Sequence, residues 1–303
     1  MAITAQDVKN LREMTGCGMM DCKKALAASD GDMDKAIEWL REKGLAASAK
    51  KAGRIAAEGM AYACVVDGIG VAVEVNAETD FVGKNEKFVD FVKGVANTVA
   101  KCNPADLDAL MECKYDGTDL TVLQQQQEMV LVIGENIKVR RFARFEGGFS
   151  VPYIHAGGKI GVLVNLEVTG GIDATEIGKD MAMQIAALNP RFWDKSQVTQ
   201  DVLDEEKKIM LAQMANDPKM ASKPDQVKEK IVLGKLNKFY SENCLLQQAF
   251  VKDGDMTVEQ YMNSAAKTLG GTVKFLDAVR FEKGEGIEKK QENFAEEIAK
   301  LAK

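Results

Sequence analysis

Over the first fifty positions apolar residues recur at the spacing of short helices. Thr4 followed by Asp7 forms a capping pair, and Val8, Leu11 and Met14 then fall at helical spacing until Gly16 stops the run. Met19 to Ala28 reads as a second helix. Asp30-Gly31-Asp32 turns the chain into a third, in which Met33, Ala36, Ile37 and Leu40 share a face before Gly44. Ala46 to Ala57 is rich in Ala, Lys and Gly and lacks an apolar stripe, so it reads as a tether with a boundary near Ile55.

From Met60 the period changes. Met60 to Val66 and Gly70 to Val75 are β-prone runs around Asp67-Gly68, which predicts a hairpin. Phe88 to Ala100 carries helical periodicity, and a Gln-rich helical stretch, Leu120 to Ile133, leads into a third strand, Lys138 to Phe145. The plan then recurs: Val151 to His155 and Ile160 to Val168 flank Gly157-Gly158, helices follow, and Val273 to Phe281 closes the unit. Arg144-Phe145-Glu146-Gly147 matches Arg280-Phe281-Glu282-Lys283-Gly284, which suggests duplicated subdomains on similar three-stranded sheets. Val202 to Ala215 and Val227 to Phe239 are helical and charged, separated by Asn216-Asp217-Pro218 and Lys223-Pro224, and predict a projecting helical hairpin. Lys289 to Lys303 places Phe294, Ile298 and Leu301 on one face of a terminal amphipathic helix. The predicted fold class is α+β, divided at residues 1–55, 56–147, 148–283 with the hairpin inserted at about 200–265, and 284–303.

Composition narrows the function classes. With 46% hydrophobic and 28% charged residues in 303, the chain has ordinary globular balance and room for more than one core. A net charge of −6 and a pI of about 5.2 argue against broad binding to a phosphate backbone, so no direct nucleic-acid partner is expected. No basic stretch leads into an apolar run at the N-terminus, and no segment approaches the roughly 18 apolar residues of a membrane span, so a cytoplasmic protein is expected. Six dispersed cysteines, Cys17, Cys22, Cys64, Cys102, Cys113 and Cys244, show no framework spacing and are expected as reduced thiols.

Candidate chemistry is sparse. The single histidine, His155, has no nucleophile or metal-ligand partner nearby in sequence, and reads as a structural or interface residue. Gly158-Lys159 is suggestive of a phosphate loop, but Tyr153 stands at the first glycine position and Ile160 replaces the hydroxyl residue, so a hairpin turn is expected. Neither cofactor nor metal is implied. Thr79-Asp80-Phe81-Val82 lies between a strand and a helix at a predicted surface turn. Two readings fit it: Thr79 or Asp80 caps the helix with Phe81 packed inward as a staple, or Phe81 meets a partner. Met19 and Met20 are adjacent on a short helix and cannot both face one core; simple packing and a partner surface with Arg12 alongside both fit. A general adaptor and an enzyme using its cysteines remain as other classes of function.

Several ordered motifs resemble the elongation factor Ts family. Val8 to Leu11 with Arg12-Glu13 and Thr15-Gly16, followed by Gly18-Met19-Met20-Asp21-Cys22-Lys23-Lys24-Ala25-Leu26, is similar to its N-terminal signature. Glu74-Val75-Asn76 with Thr79-Asp80-Phe81-Val82 resembles its second signature. Ile133-Gly134-Glu135-Asn136-Ile137 with Arg140-Arg141 is a further match, as are His155 before Ile160-Gly161-Val162-Leu163-Val164, and Val279-Arg280-Phe281-Glu282 with Gly284-Glu285-Gly286-Ile287-Glu288-Lys289. The likeness spans nearly the whole chain. It departs at Gly83, where the family more often carries alanine, and weakens over Cys102 to Gln127 and Asn243 to Met256.

The resemblance implies a ubiquitin-associated-like (UBA-like) three-helix N-terminal domain, a two-part core with three-stranded antiparallel sheets, an antiparallel helical hairpin and a C-terminal helical module. It implies a guanine-nucleotide exchange factor for elongation factor Tu that performs no covalent chemistry. Asp80 and Phe81 would loosen the partner's Mg²⁺ and phosphate site, and Thr79 and Val82 beside them would also bind the partner. Arg12, Met19 and Met20 would dock on its GTPase domain, and Ile133, Gly134 and His155 on another of its domains. The helical hairpin is a candidate for pairing with a second copy of the chain.

Overall fold

A computed structural model describes residues 3–15 and 17–288, leaving aside the side chains at 218, 221 and 225. Gly16 and the helix expected over Lys289 to Lys303 lie outside the described residues. The chain is α+β and divides into two compact units. The first runs to Arg144 and also takes in Ile154–Gly161 and the chain from Phe281; the second holds Phe145–Tyr153 and Val162–Arg280.

The first unit opens with α1 (Ala5–Thr15), α2 (Met19–Ala28) and α3 (Met33–Lys51). Thr4 and Asp7 cap α1 reciprocally: the Thr4 amide donates to Asp7 Oδ2 at 2.9 Å and the Asp7 amide to Thr4 Oγ1 at 3.2 Å. Leu11, Cys22, Leu26, Ala36 and Leu40 fill the core between the three helices. Gly44 does not end α3, which runs on to Lys51 through what reads in sequence as the start of a tether. A Cβ at Gly44 would stand 3.3 Å from the Gln127 carbonyl oxygen, so the glycine serves a close helix crossing, while Ala46, Ala47, Ala49 and the lysines supply helix propensity without a stripe.

Strands β1 (Glu58–Val66) and β2 (Ile69–Ala77) pair antiparallel with Val66 opposite Ile69. Asp67 (φ 50°) and Gly68 (φ 81°) both adopt the left-handed conformation that a two-residue hairpin turn requires. Helix α4 (Glu86–Cys102) lays Phe88, Phe91, Val92, Val95 and Val99 over Val71, Val73 and Val75 of β2. Short α5 (Leu107–Glu112) and α6 (Val122–Ile133) complete that core with Leu110, Val122 and Val130, and β3 (Lys138–Phe145) pairs with β2 to give the order β1-β2-β3.

The expectation of six reduced thiols fails at one pair. Cys102 at the end of α4 and Cys113 at the end of α5 are joined by a disulfide, because the short connection between the helices brings their Cα atoms to 6.5 Å. Cys17, Cys22 and Cys244 are buried free thiols and Cys64 is half-buried. Burial pushes the Cys64 and Cys244 thiols up to about 11 and raises Cys17, so these three stay protonated and poorly nucleophilic at neutral pH.

The sheet plan recurs further along the chain. Strands β4 (Phe149–His155) and β5 (Ile160–Thr169) and, after the helices, β8 (Thr272–Glu282) form a sheet in the order β4-β5-β8. Helix α7 (Thr175–Leu188) buries Ile177, Met181 and Ile185; Gly178 lets it approach β4, since a Cβ there would fall 2.4 Å from Val151 Cγ2. Helices α8 (Gln200–Asn216), α9 (Pro218–Ala221) and α10 (Asp225–Asn243) make the expected helical hairpin, closed by Met210, Met214, Val232, Leu236 and Phe239. A small pair of strands, β6 (Ala249–Phe250) and β7 (Asp253–Thr257), precedes α11 (Val258–Thr268), where Phe250 stacks on Tyr261 at 4.1 Å between ring centroids.

Candidate binding site

The chain leaves β2 at Ala77, turns through Glu78–Phe81, and passes a single 3-10 turn, Val82–Lys84, into α4. The side chain beside each end of the turn is sunk in protein: Ala77 is fully buried and Val82 is 5% exposed in the α4 core. Between them Asp80 is exposed and Phe81 is 80% exposed, the most exposed large apolar residue described. The staple reading of Phe81 therefore fails. So does capping by Thr79 or Asp80, because the side chain of Asn85 caps α4 by accepting from the Lys87 amide at 3.0 Å. Val82 points inward rather than to a surface. Gly83 sits where a Cβ would come within 2.8 Å of the Gly59 carbonyl oxygen, so this departure from the family pattern accompanies a tight approach of the turn to β1.

A second segment holds the turn from behind. Helix α6 ends at Gly134 in the left-handed conformation (φ 87°), which redirects the chain toward the exit of β2. The Glu135 carboxylate then accepts the Glu78 and Thr79 amides on one oxygen, both at 3.0 Å, and the Thr79 hydroxyl on the other at 2.7 Å. Glu78 answers by accepting the Asn136 amide at 2.7 Å, and Asn136 Nδ2 donates to the Arg54 carbonyl at 2.8 Å. Ile133 is half-buried against the core and Gly134 is exposed.

One turn of strand back from Asn76, the fully buried Glu74 gathers the other motif residues. It accepts from Arg140 at 2.9 Å, from Arg141 at 2.5 Å, from Asn76 at 3.0 Å and from the Gly284 amide at 2.8 Å. Arg141 also pairs with Glu285 at 3.0 Å and lies over the Phe281 ring at 4.4 Å. Burial pushes the Glu74 carboxyl up, but the Gly284 amide, Asn76 and the two guanidinium groups outweigh it and hold the group below its ordinary 4.5.

The remaining expected site residues fall elsewhere in the first unit. Met19 and Met20 are both exposed, at 58% and 63%, with Met14 at 63% and an exposed Arg12 on the neighbouring helix. His155 is exposed at the end of β4, where Ala156, Gly157 and Gly158 all have positive φ. Gly158-Lys159 is thus a hairpin turn between β4 and β5. Among the described residues no group of three or more His, Cys, Asp or Glu side chains is arranged to hold a metal ion, and no helix is long and apolar enough to cross a membrane. Sequence reasoning missed Glu78, Glu135 and Asn136 as supports of the turn. Glu135 and Asn136 lay within a recognised motif, but no local pattern discloses partners 56 to 58 positions away.

Fold and turn together define an α+β protein that displays one apolar side chain from a clamped turn. A family model described as Elongation factor TS matches residues 78–285. Elongation factor Ts of Clostridium perfringens (strain SM101 / Type A) is 50% identical over 305 residues, covering 99% of each chain. Elongation factor Ts of Syntrophotalea carbinolica is 46% identical over 307 residues, covering 100% of each, and that of Magnetococcus marinus 46% identical over 304, covering 99% of each. The chain belongs to the elongation factor Ts family, whose members are translation elongation factors.

Proposed function

We propose that this chain is a guanine-nucleotide exchange factor for elongation factor Tu, acting in the cytoplasm and without covalent chemistry. The observation that supports the reading is Phe81, exposed to 80% on a turn fixed at both ends. A protein that speeds GDP release must bind the nucleotide-free partner better than the GDP-bound one, since the coupling is reciprocal. Phe81 enters the partner's GTPase domain as an apolar wedge; burying such a side chain returns about 1.5–3 kcal/mol, a sizeable share of an interface. Asp80 brings a carboxylate next to the partner's Mg²⁺ site, weakening the hold on the GDP phosphates so that GTP can rebind.

Arg12, Met19 and Met20 dock on the GTPase domain, while Ile133, Gly134 and His155 meet another domain of the partner. Thr79 and Val82 act from within the turn. Residues 1–55 form a UBA-like docking domain and 56–147 and 148–283 the core, with the hairpin available to a second copy.

The test is release of fluorescent GDP from elongation factor Tu, in Mg²⁺ with excess unlabelled nucleotide and substoichiometric amounts of this protein. Many GDP molecules released per molecule of protein is the expected result. A folded protein that leaves the release rate unchanged overturns the reading and favours an adaptor.

A further inference from the structure

We infer that Glu135 is a positioning residue for exchange: it sets the backbone from which Phe81 projects, without itself meeting the partner. The inference rests on the exchange reading above. Its basis is the geometry of the turn. Two successive amides, of Glu78 and Thr79, converge on one carboxylate oxygen while the Thr79 hydroxyl occupies the other, so a single side chain fixes the two residues that precede Asp80-Phe81. The clamp is reciprocal, because Glu78 in turn receives the Asn136 amide, and neither strand exit nor helix end can shift alone. An apolar side chain left in water has no packing of its own to define its direction. Its aim comes from the backbone: on the C-terminal side the Phe81 carbonyl accepts the Lys84 amide of the 3-10 turn at 3.2 Å, whereas on the N-terminal side, at Glu78 and Thr79, the chain has left the sheet ladder and is held by the Glu135 side chain.

A wedge aimed in advance enters the partner without first having to be ordered. Glu135→Ala should therefore slow GDP release at saturating protein by about tenfold, while the concentration giving half the maximal rate changes by less than about twofold. Glu135→Gln, which keeps an acceptor for both amides, should recover most of the rate. Thr79→Val removes only the hydroxyl contact, should slow release by about two- to threefold, and decides the matter if Glu135→Ala does not fold.

Two further measurements separate this inference from its alternatives. Amide hydrogen exchange at Glu78 and Thr79 should accelerate in Glu135→Ala with α4 unchanged. In a Phe81→Ala background, Glu135→Ala should slow release far less than it does alone, since it acts through the Asp80-Phe81 turn and most of that turn's effect is already gone. Full activity despite a loosened turn, or an additive loss in the double variant, overturns the positioning role. If Phe81→Ala itself releases GDP at the normal rate, the exchange reading of the turn fails, and it fails separately.

Discussion

Glu74 and Glu135 each gather three or more donors around one carboxylate, yet Glu74 is fully buried on β2 whereas Glu135 is half-buried beyond α6. Glu74 ties side chains of β2 and β3 to the segment after β8; Glu135 ties two backbone amides and one hydroxyl of a single turn. The same chemical device thus serves two ends. Where water is excluded, a carboxylate with guanidinium partners governs whether the unit folds; near the surface, it governs how a neighbouring side chain is aimed.

The comparison breaks first at Glu74. Glu74→Ala strands two arginines beside the space it leaves and should destabilise the protein by about 3–5 kcal/mol, measured by urea denaturation. Loss of the Cys102–Cys113 disulfide, through Ser at both positions, should cost about 3 kcal/mol against the oxidised protein and nothing against the reduced one. Phe81→Ala inverts the pattern: stability should stay within about 0.5 kcal/mol, because the ring makes little use of the fold, while GDP release from elongation factor Tu should slow by at least about 30-fold. Met20→Ala should do least, raising the half-saturating concentration about threefold with the maximal rate intact.

Acid sharpens the contrast. The folded Glu74 carboxyl lies below its ordinary 4.5, so its charged form is favoured in the native state. Its contribution to stability is complete above the unfolded value and is lost as pH falls from about 4.5 through the folded value. Glu74→Gln should flatten the stability curve in that interval. Persistence of the full acid-induced loss in the variant would assign it to other carboxylates.

Local chemistry made much of this legible in the sequence. Asp67-Gly68 dictated the first hairpin, Thr4 and Asp7 the start of α1, and the apolar period from Phe88 the helix over β2. Pairings that depend on tertiary approach were not legible. Gly44 looked like a stop and is a crossing point; Ala46 to Lys51 looked like a tether and is helix. Cys102 and Cys113 meet because two helix ends converge, and nothing in their spacing announces it. At the site, sequence placed Phe81 at a turn but left its direction open, because the direction depends on Val82 entering the core and on Glu135 arriving from another part of the chain.

The Gly284 amide reaches Glu74 across 210 positions, and Glu285 reaches Arg141 across 144. A growing chain acquires β1, β2, β3 and the Phe81 turn while the segment after β8 is still unmade. Until residue 285 clears the ribosome, Glu74 has only Asn76 and the two arginines for company. The order of synthesis therefore makes closure of this network a late event, and a truncated product lacking the segment after β8 carries the same exposed phenylalanine on an incompletely tied sheet. Arrival of the segment after β8 is thereby recorded in the stability of the first sheet.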